Sequence, residues 1–313
     1  MTLLIQYTII FASVLLLVAL GGCFSERSGV INIGLEGIMV IGALGGALVM
    51  KFLPVSVGAP VMVLTVILAS AAAGLLYSLL LAVASITFRA DQTITGTAMN
   101  LLGTAAATVF VKAMNTAADP DNVSSTIQYL DGRKAFLVNI GGFEFNWCML
   151  LAVIALVIAY VVLYKTRFGL RLCACGEHPQ AADAAGINVT KYKYVATCVG
   201  SMIAGLGGLY YVMDYACGVW SNDAFGDRGW LAIALVIFTV WKPNIGVLAS
   251  FLFGGLYILH IFLPSGTNLA VKELYKMIPY VVTIIVLIIT SVRSKRENQP
   301  PARLGLPFFR EER

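Results

Sequence analysis

Long apolar runs dominate this 313-residue sequence and limit the folds that are open to it. Most are close to the roughly 20 residues that an α-helix needs to cross a bilayer. They lie approximately at 3–22, 30–50, 60–88, 92–114, 146–164, 194–213, 229–241, 245–263 and 278–292. The run at 229–241 is short for a crossing, so we expect segment 218–228 before it to be a partly buried loop or short helix. The sequence therefore predicts an all-α polytopic membrane protein with about nine transmembrane helices.

Composition excludes two broad classes of protein. Hydrophobic residues make up 59% of the chain and charged residues 12%, a balance too apolar for a soluble protein of this size. The formal net charge of +5 comes from basic residues dispersed between the apolar runs, so we expect no nucleic-acid partner. The six cysteines are scattered, and Cys173, Cys175 and His178 lack a standard zinc spacing. Neither a disulfide framework nor a metal site is predicted.

Basic residues orient the predicted spans. When the basic group at 293–296 is placed in the cytoplasm, most of the 21 Lys and Arg residues fall on the same side, as the positive-inside rule requires. The N-terminus then lies outside, together with a polar loop at 115–145.

We divide the chain into a transmembrane domain at 1–293 and a cytoplasmic tail at 294–313. The tail is predicted to be extended and exposed.

A polar stretch at 26–37 interrupts the first two apolar runs. An ionisable side chain near the bilayer centre costs about 2.5–3.5 kcal/mol, so Glu36 is expected to face protein or a wet cavity. Asn32 and Glu36 are four residues apart and would share one face of a helix. One interpretation is a close packing seam with a buried, satisfied acid. The other is the lining of a solute pathway, and the residues alone leave both open.

The internal segment at 165–193 is too polar to insert into the membrane. Its regular residue pattern is not typical of a flexible linker. Residues 179–185 predict a short helix, with a proline in the first turn, an alanine-rich body and Gly186 as its stop. Glu177 would favour the positive end of the helix dipole, and the alanines would permit close approach. The helix either fits a groove on a cytoplasmic partner or lies on the membrane surface and joins two spans.

No motif in the sequence indicates catalysis. A phosphate-binding Gly-x-x-x-x-Gly-Lys-Ser/Thr loop, a His-Glu-x-x-His helix and a Gly-x-Ser-x-Gly elbow are all absent from it. The glycine cluster at 205–208 predicts a tight helix crossing. We therefore expect a protein that is not an enzyme and that has no catalytic residues.

Several long motifs occur in fixed order: the run 25–39, the run 89–96 followed by Asn100, and the segment 176–187, with shorter ones at 241–243 and 278–280. Together they resemble the inner-membrane permeases of nucleoside and simple-sugar ABC importers. The similarity covers nearly the whole chain. It is closest to the shorter of two permeases, within the superfamily of ribose-type and branched-chain amino-acid permeases.

This resemblance implies a type II ABC importer fold and a chain that passes nucleosides or related simple sugars into the cytoplasm. The partners it implies are a cytoplasmic ABC ATPase, a second and longer permease, and an extracytoplasmic nucleoside-binding lipoprotein. ATP and magnesium would belong to the ATPase, leaving no cofactor in this chain.

The segment at 165–193 would be the coupling loop. Residues expected to dock in the ATPase cleft are Glu177, Pro179, Ala181, Ala182 and Gly186. Residues expected to line the solute path are Asn32, Glu36 and Asn100.

Three other functions remain open from the sequence. A branched-chain amino-acid ABC permease shares the architecture. An ion-coupled secondary transporter would use Glu36 as its proton or sodium site. A membrane scaffold for a lipoprotein receptor would transport nothing itself.

Overall fold

The computed structural model describes residues 2–54, 57–128, 130–140, 143–226, 228–264, 268–293 and 299–310. Its helices are α1 (Thr2–Arg27), α2 (Leu35–Phe52), α3 (Ala59–Ala82), α4 (Gln92–Ala118), α5 (Trp147–Lys165), α6 (Arg167–Glu177), α7 (Pro179–Ala184), α8 (Val189–Tyr210), α9 (Asn222–Phe225), α10 (Arg228–Phe238), α11 (Pro243–Ile258) and α12 (Leu269–Arg293). Its strands are β1 (Thr126–Ile127), β2 (Leu137–Ile140), β3 (Phe143–Asn146) and β4 (Trp220–Ser221). The chain is therefore helical almost throughout the described ranges.

Each predicted apolar run contains a helix, but not every helix is long enough to cross a membrane. Among the residues that the structure describes, six helices have both the necessary length and the apolar character: α1 to α5 and α8, with α3 and α8 extended by one π-helical turn each. Helices α10 and α11 are shorter. The predicted count of nine crossing helices is therefore not confirmed, while a polytopic helical architecture is.

Local capping residues explain where several helices begin. The side chains of Asp91, Asn146, Thr166 and Asn188 each accept a hydrogen bond from a backbone N–H in the first turn of α4, α5, α6 and α8. These N–H groups have no partner within the helix, so the cap satisfies them.

The bundle has two ends that differ in structure. The end of α1 and the beginnings of α2 and α4 lie beside α6 and α7, because Gly29 contacts Gly176 and the Ile31 N–H donates to Gln92. We call this the α7 end. At the opposite end the long connection from α4 to α5 forms a 3₁₀ turn and the antiparallel β2–β3 hairpin.

The segment at 218–228 is irregular, as the sequence predicts. Strand β4 pairs antiparallel with β1, α9 follows, and Gly226 adopts a left-handed conformation before α10 begins. Trp220 is completely buried. The Trp220 side chain therefore anchors this irregular backbone in protein, one of the settings in which such backbone is tolerated at membrane depth.

Helix α8 is the element around which the bundle packs. It contacts α1, α2 and α3, and glycines bring the backbones together. A Cβ atom added at Gly200 would overlap the carbonyl oxygen of Gly21 on α1, and one added at Gly208 would overlap that of Met39 on α2. The tight crossing predicted for 205–208 is confirmed.

The C-terminal tail departs from its predicted form. Residues 301–309 fold back onto the α7 end, where the Arg303 N–H donates to the Gly176 oxygen at 3.0 Å and the Gly305 N–H donates to the Gly29 oxygen at 3.2 Å. The prediction of an extended end is wrong for this segment, whereas the predicted exposure is confirmed only in part, at Ala302, Arg303, Leu306 and Pro307. The reason is that carbonyl groups at and beyond helix ends lack helical partners, and the tail supplies N–H groups to them. Residues 294–298 and 311–313 lie outside the described ranges.

We predict that Gly208→Ala destabilises the protein by about 1–3 kcal/mol, because its methyl group has to displace the α2 backbone. Gly255→Ala is the matched control, since its Cβ atom would meet only the Thr8 methyl group at 3.6 Å. Thermal unfolding of the two detergent-purified variants measures the difference. Equal melting temperatures would contradict the packing described for α8.

Candidate functional site

The loop between α1 and α2 introduces polar groups into the bundle. Gly29 has a φ of +90°, which favours glycine. Asn32 is fully buried, and its side-chain nitrogen donates to the Ser25 hydroxyl at 3.4 Å. Its side-chain oxygen accepts no hydrogen bond within the part of the chain that the structure describes. The loop therefore carries a buried polar atom at its centre.

Glu26 is a second buried acid in this region, and sequence reasoning gave it no role. It accepts hydrogen bonds from the Trp241 indole and from the Asn32 backbone N–H. The neighbouring Arg27 donates to the Trp241 carbonyl at 2.9 Å. Glu26 thus ties the end of α1 to the turn after α10. The polar stretch at 26–37 and the 241–243 motif were visible in the sequence, but their contact was not.

Asn100 on α4 secures the beginning of α2. Its side-chain oxygen accepts from the Gly37 N–H at 2.9 Å, and its side-chain nitrogen donates to the Ile33 carbonyl at 2.9 Å. The side chain is 6% exposed. Both ends of the amide are therefore engaged by backbone groups, of which the Gly37 N–H would otherwise be buried without a partner.

Glu36 joins α2 to α10. Its carboxyl group, 5% exposed, accepts a hydrogen bond from the Gly229 N–H in the first turn of α10. The positive end of a helix dipole favours such a group. A Cβ atom on Gly229 would collide with the backbone of Glu36, so glycine is needed for this approach. The sequence interpretation of a buried acid with a polar partner is confirmed for Glu36.

A cavity of about 360 Å³ lies where these helices meet. Its lining residues come from α2, α4, the beginning of α10 and the irregular segment before α10. They are Glu36, Thr97, Asn100, Leu101, Thr104, Asn222, Gly226 and Trp230. The structure therefore brings Glu36 and Asn100 to one cavity, whereas Asn32 is not among its described lining residues.

The beginning of α10 and the irregular segment before it contribute the features that sequence reasoning did not identify. Trp230, in the first turn of α10, is 36% exposed and lines the cavity. Asn222 has a buried side-chain oxygen with no hydrogen-bond partner in the described structure. A tryptophan near the beginning of a short apolar run was the available sequence signal, but only the fold shows that it is exposed and shares a cavity with α4.

Threonines give α4 a polar stripe that passes the cavity. Thr97, Thr104 and Thr108 lie at helical spacing, and each hydroxyl donates to the carbonyl four residues earlier at 2.8–3.0 Å. Their oxygens keep acceptor capacity toward a solute. With the amides and the indole, the cavity offers hydrogen-bond partners and one aromatic face in a volume typical of a small-molecule site.

The predicted coupling segment is present at the α7 end. Helix α7 begins with Pro179, and Gly186, with a φ of +81°, lies just beyond its end. The short helix predicted at 179–185 is thus confirmed. Ala181 and Gly186 are exposed, whereas Pro179 and Ala182 are buried. Glu177 is partly buried, and its carboxylate accepts a hydrogen bond from the Ala302 N–H at 3.3 Å.

The cysteines beside this segment are not poised for reactivity. Burial raises the pKa of the Cys175 thiol to about 11 and also raises that of Cys173. Both thiols are therefore protonated at neutral pH, whereas the nucleophilic and metal-binding form is the thiolate.

Comparison with known proteins places the chain in a family. The profile described as branched-chain amino acid transport system / permease component matches residues 4–287. The chain belongs to this permease family. A multi-pass membrane protein is the architecture that both the family and the apolar helices support. No solved structure matches the permease significantly.

Individual relatives of the permease include transporters of nucleosides. It is 36% identical over 322 residues to the guanosine ABC transporter permease protein NupQ of Bacillus subtilis, covering 100% of this chain and 98% of NupQ. It is 36% identical to the nucleoside ABC transporter permease protein NupC of Lactococcus lactis, covering 89% of each chain. A shorter match, 29% identical, covers 47% of this chain and 41% of the Lactococcus lactis nucleoside ABC transporter permease protein NupB.

We predict that Asn100→Ala lowers the stability of the permease. The Gly37 N–H would be left buried without a partner, at a cost of about 1–3 kcal/mol, and the partly buried Ile33 carbonyl would lose its side-chain donor. Thr108→Ala on the same helix is the control, because it removes only a hydroxyl bonded to its own helix. Thermal unfolding in detergent is the measurement. An Asn100→Ala variant as stable as Thr108→Ala would show that the amide does not anchor α2.

Proposed function

We propose that this chain is the shorter permease subunit of an ATP-driven nucleoside importer. The observation that carries the proposal is 36% identity to a guanosine ABC transporter permease along essentially the full length of both chains. The candidate cavity supports it. A nucleoside has a flat aromatic base and many hydrogen-bonding groups, which suit an exposed indole beside amides and hydroxyls.

In this proposal Glu36, Asn100 and the cavity they line belong to the solute path. Asn100 accepts a hydrogen bond from the backbone of α2, and Glu36 accepts one from the backbone of α10. These two residues would therefore maintain the shape of the cavity. Thr97, Thr104, Asn222 and Trp230 would make the direct solute contacts. Asn32 would stabilise the preceding loop and lie beside the path.

A branched-chain amino-acid permease is the second candidate, because the family description names that substrate class. The cavity chemistry fits it less well. An amino acid carries an α-carboxylate, which binds best to a cation or a free helix N-terminus. The described lining contains no cation, and the α10 N-terminus already holds the Glu36 carboxyl group.

The chain itself would do no chemistry in this mechanism. ATP and magnesium would bind a separate cytoplasmic ATPase, which would dock on α7 and the residues beside it. Exposed Ala181 and Gly186 would form the direct contact, together with Ala184 and Ala185. Pro179 and Ala182, which are buried, and Glu177, which binds the tail, would position the helix.

The orientation of the chain and its remaining partners are part of the same proposal. The α7 end would face the cytoplasm, because Arg27, Arg89, Arg171 and Lys191 cluster there. A longer permease would complete the path, as suggested by NupB, which matches over a smaller share of its own length than of this chain. An extracytoplasmic nucleoside-binding lipoprotein would deliver solute to the opposite end.

We predict that Trp230→Ala lowers nucleoside uptake roughly 5- to 150-fold at limiting solute, because base–aromatic stacking contributes about 1–3 kcal/mol. Trp230→Phe should retain most of the uptake. Trp147→Ala is the control, since Trp147 is also exposed but lies at the beginning of α5, outside the cavity.

Radiolabelled guanosine, uridine, leucine and ribose should be compared in cells expressing each variant. Leucine uptake that depends on this chain, with no nucleoside uptake, would replace the proposal by the second candidate. Uptake abolished by a protonophore while ATP stays high would instead indicate an ion-coupled transporter.

We predict that Ala181→Trp uncouples the importer, because a bulky side chain on the exposed face of α7 prevents close docking. Overpacking of a contact costs about 1–3 kcal/mol, so ATPase affinity should fall roughly 5- to 150-fold. Ala117→Trp is the control, since Ala117 is exposed at the far end of α4. Co-purification of the ATPase and nucleoside uptake are measured together. Unchanged values for Ala181→Trp would remove α7 from the ATPase contact.

A further inference from the structure

Residues 299–310, which we call the C-terminal strap, connect three parts of the α7 end. Backbone hydrogen bonds join Arg303 to Gly176 at the end of α6 and Gly305 to Gly29 in the α1–α2 loop. The third connection is to the segment between α3 and α4, where the Arg89 guanidinium lies 4.3 Å from the centre of the Phe309 ring. The strap is therefore bound to three separate elements.

The strap also holds α7 directly. Phe308 packs against a small apolar cluster formed by Cys175, Ala182 and Val189, which lie on α6, α7 and α8. Arg310 donates to the Asp183 carboxylate on α7 at 3.2 Å. Helix α7 has only six residues, too few to be stable alone, so these contacts help determine where it sits.

The outer end of the strap contributes to a basic cavity beside α7. This cavity of about 730 Å³ is lined by Arg89, Lys191 and Arg310, with Asp183 as the acid among its described charged residues. Arg310 reaches it from the strap, Arg89 from the α3–α4 connection and Lys191 from α8. Arg310 is paired with Asp183, so the net positive charge of this lining comes from Arg89 and Lys191, beside which the strap lies.

We propose that the C-terminal strap is an integral part of the ATPase docking surface. It holds α7 in position. Together with Arg89 and Lys191 it forms a basic rim beside α7, and this rim would bind acidic side chains that line a groove on the ATPase. This inference rests on the proposed function, because it presumes that α7 meets the ATPase. It extends the proposed function in two ways: a segment outside the membrane domain takes part in docking, and the ATPase must carry acidic groups at the contact.

The ATPase is the occupant that the observations favour. The basic cavity adjoins Gly186, the exposed residue just beyond α7, and no acidic cluster surrounds it in the described structure. Complementary charge at the rim of an interface mainly raises the association rate and makes binding sensitive to salt. A docking surface of this kind should therefore weaken as ionic strength rises.

The first test removes the strap from the complete complex. A stop codon after Gln299 and the point variant Phe308→Ala are compared with the full chain, and Val157→Ala is the control because Val157 is exposed on α5, outside the strap and both cavities. Each form is co-expressed with its partners. The ATPase retained during purification, the uptake of nucleoside and the thermal stability of the permease are measured. We expect retained ATPase to fall roughly tenfold for the truncation and for Phe308→Ala, with Val157→Ala unchanged.

A thiol reporter shows whether the strap has been released. In a variant whose only cysteine is Cys175, a docked strap covers this buried thiol and maleimide labelling should be slow. Truncation or Phe308→Ala should accelerate the labelling. Rapid labelling in the intact chain would overturn the docked position of the strap.

The second test changes charge outside the strap. Lys191→Glu should weaken ATPase binding roughly 3- to 10-fold at low salt and less at high salt, whereas Lys165→Glu, exposed at the end of α5, should not. If the full chain retains the ATPase and all variants retain it equally with full uptake, the strap proposal is overturned and the proposed function stands. If the full chain retains no ATPase and takes up no nucleoside, the proposed function itself fails.

Discussion

The contact between the Glu36 carboxyl group and the first turn of α10 is the interaction on which the centre of this protein depends. A buried carboxyl group needs polar partners, and a helix that begins inside a bundle needs acceptors for its first N–H groups. One hydrogen bond to the Gly229 N–H meets both needs. It also fixes the relative position of α2 and α10, and the cavity lined by Asn100 and Trp230 lies between these helices and α4.

This arrangement requires a rigid frame, which the glycine contacts of α8 provide. Where Gly200 and Gly208 let backbones touch, α1 and α2 have little freedom to slide, because any movement meets main-chain atoms instead of flexible side chains. The irregular segment with β4 and α9 then occupies space that the frame leaves, and β1 covers its polar backbone. Tight packing in one part of the bundle thus permits broken secondary structure in another.

The loop between α1 and α2 links the two functional regions. Gly29 accepts a hydrogen bond from the C-terminal strap, while seven residues later Glu36 meets α10 at the candidate solute site. Gln92 at the start of α4 accepts from the Ile31 N–H at 2.7 Å within the same loop. In the proposed importer, a displacement of α7 and the strap would reach the cavity through these few residues. The connection is short because both regions are built on the same helix ends.

The sequence by itself determined the helical membrane architecture, the short helix α7 and the presence of a buried acid at Glu36. Hydrophobic length, a proline start and a glycine stop are properties of adjacent residues, so they can be read without knowing the fold. Only the tertiary structure decided which helices are long enough to cross and that Trp230 faces α4. It also decided the contact of Glu26 with Trp241, which is 215 positions away, and the docking of the strap on α6 and α7. Such contacts depend on how distant segments pack, because their residues are ordinary in local context and acquire partners only when the bundle forms.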